Sequence, residues 1–113
     1  MDWSEALKKY DELVDLCPEF ERKGKTMPYT SDNGHMFSLL NKDGELGFRF
    51  SKEQQELYIE EFESDFYYSY GAQMRGYVRI PERMLNDLPK LAGYLKESWE
   101  YVMSLPPGKK KQK

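Results

Sequence analysis

The sequence predicts an α+β domain: an antiparallel five-stranded sheet with flanking helices, in the order α-β-β-β-α-β-β-α. Three observations carry this. Apolar residues recur at spacings of three and four at both ends of the chain, from Trp3 to Cys17 and from Leu88 to Met103, as on one face of a helix. Between these ends the apolar period drops to two, interrupted at Asn33-Gly34 and Asp43-Gly44, the strongest short hairpin signals. With 113 residues there is room for one core and no second, and the 15% aromatic content, nine tyrosines included, offsets the small area that so short a chain can bury.

The first helix presents Trp3, Leu7, Tyr10, Leu13, Val14 and Cys17 inward and ends near Pro18. Asp2 followed by Glu5 forms a capping-box pattern at its start. Three strands joined by two hairpins are expected between Gly24 and Phe50. The second, His35 to Leu40, is apolar on both sides and reads as the central one. In the third, Leu46, Phe48 and Phe50 alternate with Glu45, Gly47 and Arg49. Ser51 with Gln54 opens a second helix to Glu63, with Leu57, Tyr58 and Phe62 toward the core. Two further strands follow. Phe66, Tyr68 and Tyr70 alternate with Asp65, Tyr67 and Ser69, and after Gly71 the residues Met74, Gly76, Val78 and Ile80 are expected opposite Arg75, Tyr77 and Arg79. Pro81 suits the first turn of a short helical piece through Leu85. Asp87 caps a final helix carrying Leu88, Leu91, Leu95, Trp99, Val102 and Met103. The domain is read as residues 1–107, followed by a disordered basic tail, 108–113.

Composition excludes several classes of function. One cysteine and one histidine can form neither an internal disulfide nor a four-ligand Cys/His zinc site, and no cofactor is expected. No apolar run approaches the ~20 residues of a membrane span, and Met1-Asp2-Trp3-Ser4-Glu5 does not read as a signal peptide, so the expectation is a cytoplasmic protein without a membrane partner. Four of the 17 basic residues are Lys109, Lys110, Lys111 and Lys113, which leaves 13 against 20 acidic residues for the body. A body so acidic is a poor general binder of polyanions.

The side chains that could carry chemistry read mostly as structural. His35 directly follows a turn and has no nucleophile in recognisable context; Cys17 lies on the inward helix period; Glu60, Glu61, Glu63 and Asp65 lack the spacing of a cation loop. Gly44 and Gly47 read as turn and packing glycines. The best polar constellation is cationic and aromatic: Arg75, Tyr77 and Arg79 on one strand face, with Arg49 on the polar face of another strand. Guanidinium groups beside aromatic rings suit phosphates and bases, and equally the centre of a protein interface.

The run Lys23-Gly24-Lys25-Thr26-Met27-Pro28-Tyr29-Thr30-Ser31 followed by Asn33-Gly34-His35-Met36-Phe37-Ser38 resembles the N-terminal domain of the TfoX/Sxy competence-regulator family. So do Gly44, Leu46, Phe48, Arg49 and Phe50, and Tyr70-Gly71 followed by Met74, Tyr77, Val78, Ile80 and Pro81. The resemblance covers about Glu21 to Val102 and implies a secretion-chaperone-like α+β sandwich with a non-enzymatic regulatory or adaptor role. It departs from the family where Pro28-Tyr29-Thr30 replaces a Phe-Gly-Gly.

The function expected from sequence is therefore a small non-enzymatic interaction module acting through a protein partner, with Arg49, Arg75, Tyr77, Arg79, Tyr29 and Tyr67 as contact residues. Self-association as a homodimer is anticipated from the aromatic surface that Tyr94, Trp99 and Tyr101 add to the last helix. The alternative is a nucleic-acid-binding accessory protein using the Arg/Tyr strand face and the basic tail.

Overall fold

The computed structural model describes residues 1–108, and Lys109 to Lys113 lie outside the described residues. The elements are α1 (Trp3–Asp15), β1 (Tyr29–Asp32), β2 (His35–Leu40), β3 (Leu46–Arg49), α2 (Lys52–Glu61), β4 (Phe66–Ser69), β5 (Ala72–Ile80), a 3-10 helix (Glu82–Asn86) and α3 (Leu88–Ser104). The order is the one the sequence predicts. All strand pairs are antiparallel, in the sheet order β1-β2-β3-β5-β4. β2 is thus an interior strand, while β3 occupies the middle.

Local chemistry sets the helix starts. Asp2 and Glu5 close a reciprocal capping box on α1, and Ser51 and Gln54 do the same on α2, so each helix satisfies donors that would otherwise be orphaned. At α3 the Asp87 carboxylate accepts from the Lys90 N–H. β1 and β2 are joined by a two-residue turn with Asn33 at φ 54° and Gly34 at φ 78°. β4 and β5 are joined likewise by Tyr70 at φ 53° and Gly71 at φ 76°. Both have the positive φ pair of a type I′ turn, whose twist matches that of the strands it joins.

The helices cover one face of the sheet. Tyr10, Leu13, Phe37, Leu40, Leu46, Phe48, Phe50, Val78, Ile80, Leu91, Leu95 and Val102 form the main core there. Leu57, expected in it, is instead 55% exposed, because the inward stripe of α2 runs through Tyr58 and Phe62, and Leu57 lies a helical step of about 100° away. Met103 is exposed for the same reason on α3. A bulge between Thr30 and Ser31 gives β2 one extra residue. Phe37 joins the core there, while the neighbouring Ser38 links Tyr10 Oη and Thr30 Oγ1, each at 2.5 Å, in a fully buried hydroxyl chain.

α3 is fixed to the sheet by polar contacts. The Ser98 hydroxyl, fully buried, lies 2.9 Å from Phe37 O and also contacts Arg49 O, so it satisfies backbone just past the last paired residues of β2 and β3. At the helix end, Asn33 Nδ2 donates to Val102 O (2.8 Å) and Leu105 O (3.0 Å), while Trp99 Nε1 donates to Asp32 Oδ2 (2.9 Å). The β1–β2 turn is therefore the cap of α3. His35 Nε2 is 2.8 Å from Pro106 O, and the Gly108 N–H donates to Asn33 O (2.8 Å). Gly108 thus touches the β1–β2 turn, while the rest of the expected tail, 109–113, lies outside the described residues.

The second face of the sheet is covered by the sheet itself. Tyr68 pairs with Gln73 but Phe66 pairs with Val78, so two steps along β4 match five along β5. The excess is taken up where Gly76 stands at φ 89°, a conformation that a residue with a Cβ adopts only under strain. There the β4–β5 hairpin folds back over the sheet. Tyr67 and Tyr77 are pressed with Leu39 into a second small core, flanked by Met27, Tyr29, Met36 and Met74. The Tyr67 ring lies so close over Gly47 that a Cβ built there would stand 2.4 Å from it.

Gly47→Ala should destabilise the fold by roughly 1–3 kcal/mol through overpacking, seen as a lower urea midpoint with an unchanged slope. An unchanged midpoint would show that Tyr67 does not lie over Gly47.

Candidate functional site

The Arg75-Tyr77-Arg79 face expected from strict alternation does not form. The bulge at Gly76 breaks the alternation, so Met74 and Tyr77, three residues apart, pack on the same inner cluster. Tyr67 and Tyr77, expected as exposed contact residues, are 0% and 5% exposed. Each reaches across the sheet to satisfy its hydroxyl on backbone: Tyr67 Oη lies 3.0 Å from Leu39 O and 2.8 Å from Glu45 O, and Tyr77 Oη lies 2.9 Å from Met36 O. Tyr29 is half-buried against the same cluster.

The arginines separate. Arg49 is half-buried with its guanidinium 5.7 Å from the centre of the Tyr101 ring on α3. Arg79 is half-buried beside a cleft of about 210 Å³ that Asp43, Glu45 and Glu82 also line, an acidic setting unsuited to phosphate. Arg75 alone is exposed. The aromatic surplus on α3 is likewise used internally. Tyr94 packs edge-on against Tyr58 and Phe62, Trp99 packs on Phe20, and Tyr101 lies under Arg49.

What the fold does expose is the outer side of the folded-back hairpin. With Tyr67 and Ser69 turned inward, alternation along β4 turns Phe66 and Tyr68 outward, 44% and 48% exposed, and Tyr70, the first residue of the turn that follows, is 62% exposed. Gln73 lies opposite Tyr68 on that same side, and Arg75, two residues on, shares it. Lys42 Nζ sits 5.9 Å from the centre of the Tyr70 ring, within cation–π range. Neither Arg75 nor Lys42 has a carboxylate within 4.0 Å among the described residues. The site is a set of three exposed aromatic residues, two on β4 and one at the turn after it, bordered by two cations with no ion pair among the described residues.

Sequence reasoning noted the alternation of Phe66, Tyr68 and Tyr70 but not their exposure. Tyr67, a single residue between aromatics, is the one the core takes, because only from its parity can a hydroxyl reach the carbonyls of Leu39 and Glu45. Two backbone groups of the strand beside the exposed rings already have side-chain partners. Asn41 Nδ2 donates to Tyr68 O at 2.8 Å, and Asp65 Oδ1 accepts from the Phe66 N–H at 2.7 Å.

The other candidate groups have structural partners. Cys17 is buried, and burial pushes its thiol up to about 11, so it is uncharged near neutrality. Within the acidic run, Glu61 accepts from Tyr94 Oη (2.6 Å), and Glu63 stands 3.9 Å from Arg83. No helix among the described residues is long and apolar enough to cross a membrane. Comparison of the chain with protein-family models, curated proteins and solved structures finds no match in any of the three.

Burial holds the phenols of Tyr10, Tyr58, Tyr67 and Tyr77 well above their ordinary value of 10. The hydrogen bond to Glu61, followed by burial, raises Tyr94 to about 12. A pKa raised by folding favours the protonated group, so this contribution is complete below about pH 10 and is lost as pH climbs toward the folded values. Stability should hold to about pH 9 and fall steeply above about pH 10, with the phenolate absorbance of these five rings appearing together with the loss of near-ultraviolet circular dichroism. Full ionisation of all nine tyrosines with the fold intact would contradict the buried placements of these rings.

Proposed function

We propose that this protein is a small non-enzymatic interaction module, similar to the TfoX N-terminal domain, that binds a protein partner through the outer face of its β4–β5 hairpin. One observation carries the reading: Phe66 and Tyr68 on β4 and Tyr70 at its turn stand exposed on one hairpin together with Arg75, and aromatic residues and arginine are the types that dominate interface centres. Tyr70 adds support. It holds φ 53° at a turn position that asparagine or glycine fills more readily, while its ring is the most exposed large hydrophobic group described. Strain of this kind, about 1–2 kcal/mol for an ordinary residue, persists at functional positions.

A photo-crosslinking residue placed at position 68 should yield a covalent adduct with a discrete protein in cells, while the same residue at Glu12 on the exposed side of α1 should not. Equal adducts at both positions would overturn the assignment. An adduct at 68 with nucleic acid, weakening steeply with salt, would replace the protein partner with a single strand stacked on the same rings.

Tyr70→Asn should raise the urea midpoint, by the equivalent of up to about 1 kcal/mol, while reducing the adduct formed at position 68. A variant that is more stable yet equally adduct-forming would remove Tyr70 from the contact face.

A further inference from the structure

The hairpin row has a counterpart on the same chain. On α2, Leu57 is 55% exposed, and Glu53 and Glu60 flank it at four residues before and three after, on the same side of the helix. Glu56 is exposed beside it. None of these three glutamates takes part in an ion pair or a side-chain hydrogen bond among the described residues. The helix thus carries an apolar anchor ringed by free carboxylates, and the hairpin carries apolar rings bordered by two free cations, with the Asp65 carboxylate at the Phe66 end held on the Phe66 N–H. Four of the seven large hydrophobic groups exposed on the described surface, Leu57, Phe66, Tyr68 and Tyr70, belong to these two elements.

We infer that a second copy of this chain is an occupant of the hairpin face, with the acidic face of α2 on each copy docked on the aromatic row of the other. The inference deepens the proposed function and rests on its choice of contact face. Charge complementarity is its main argument: Arg75 and Lys42 meet Glu53, Glu56 and Glu60, and Leu57 meets the rings. Strand addition is disfavoured, because Asn41 and Asp65 already occupy polar groups of β4, so the contact is made by side chains, as a helix laid across the row would make it. Reciprocal docking also answers the question of area. A standard interface covers about 800 Å² per partner, more than three half-exposed rings supply, and a two-fold pair makes the contact twice.

The test exchanges the charges. One variant carries Lys42→Glu with Arg75→Glu, the other Glu53→Lys with Glu60→Lys; all four positions are exposed, and circular dichroism checks that both variants fold. Sedimentation velocity across a concentration series should show wild-type protein associating, more weakly at high salt. Each variant alone should associate at least about ten-fold more weakly, a change of about 1.4 kcal/mol. An equimolar mixture should regain association, because the acidic hairpin of the first variant then faces the basic helix of the second, while the unaltered hairpin faces the unaltered helix. Leu57→Ser should weaken association without charge change.

A wild-type protein that stays monomeric at every concentration overturns the inference, as does association indifferent to all four changes. If the monomer still forms a crosslink at position 68 with another protein, the contact face survives and only the second copy is lost as its occupant. If position 68 forms no specific adduct either, both readings fail.

Discussion

The folding back of the β4–β5 hairpin at Gly76 is the constraint on which the rest of the structure depends. Three helices cover only one face of the five-stranded sheet, and a second face carrying Leu39, Met36 and Tyr77 has to be removed from water by something else. The chain supplies no fourth helix for it among the described residues. Instead β5 carries the extra residues of a bulge, its glycine adopts φ 89°, and the sheet closes over itself. Tyr67 then spans from the edge strand to the β2–β3 hairpin, and its hydroxyl lies near two backbone carbonyls at once. A phenol buried without such partners would cost about 1–3 kcal/mol, so these hydrogen bonds fix where the ring must lie as well as how strongly it is held.

The helical face uses polar anchors in a similar way. Ser98 is fully buried on α3 and satisfies backbone where the β2–β3 ladder has ended, while Asn33 satisfies two carbonyls at the end of the same helix from a turn far earlier in the chain. Each bond adds only about 0.5–1.5 kcal/mol net, but leaving its partner unsatisfied costs more. The consequence is positional. Leucines alone would let α3 slide along the sheet, whereas a hydroxyl and an amide that match only particular carbonyls select one placement.

This difference explains how much of the protein was legible in its sequence. Helix starts could be read at Asp2, Ser51 and Asp87, and turns at Asn33-Gly34 and Asp43-Gly44, because capping and turn chemistry act within a few residues. The element order and antiparallel sheet followed from them. The candidate site was read less well. Arg75, Tyr77 and Arg79 share a face only if alternation continues through position 76, and a glycine there gives no sign, by itself, of whether it marks a bulge or a packing contact. Once the bulge is present, Tyr77 goes inside, Arg79 moves beside Asp43, Glu45 and Glu82, and Arg75 joins Tyr68. Leu57 was misplaced for a related reason: adjacent apolar residues at 57, 58 and 59 fit more than one helical stripe, and only the position of Phe62 relative to the sheet decides between them.

The alternation along β4 separates two demands that composition alone merges. Inward, Tyr67 needs both its ring and its hydroxyl, and the fold supplies partners for each. Outward, Phe66, Tyr68 and Tyr70 have no comparable packing: their side is solvent, and among the described residues their only aromatic or cationic contact within the fold is the one between Tyr70 and Lys42. An exposed edge strand is ordinarily defended with charges, and this one is defended at its backbone by Asn41 and Asp65 while its side chains remain aromatic. Occupying these two backbone groups disfavours strand addition while leaving the three rings exposed. Specificity at such a surface comes from side chains matched to one another, and exposed rings beside unpaired cations offer features to match that a bare strand edge lacks.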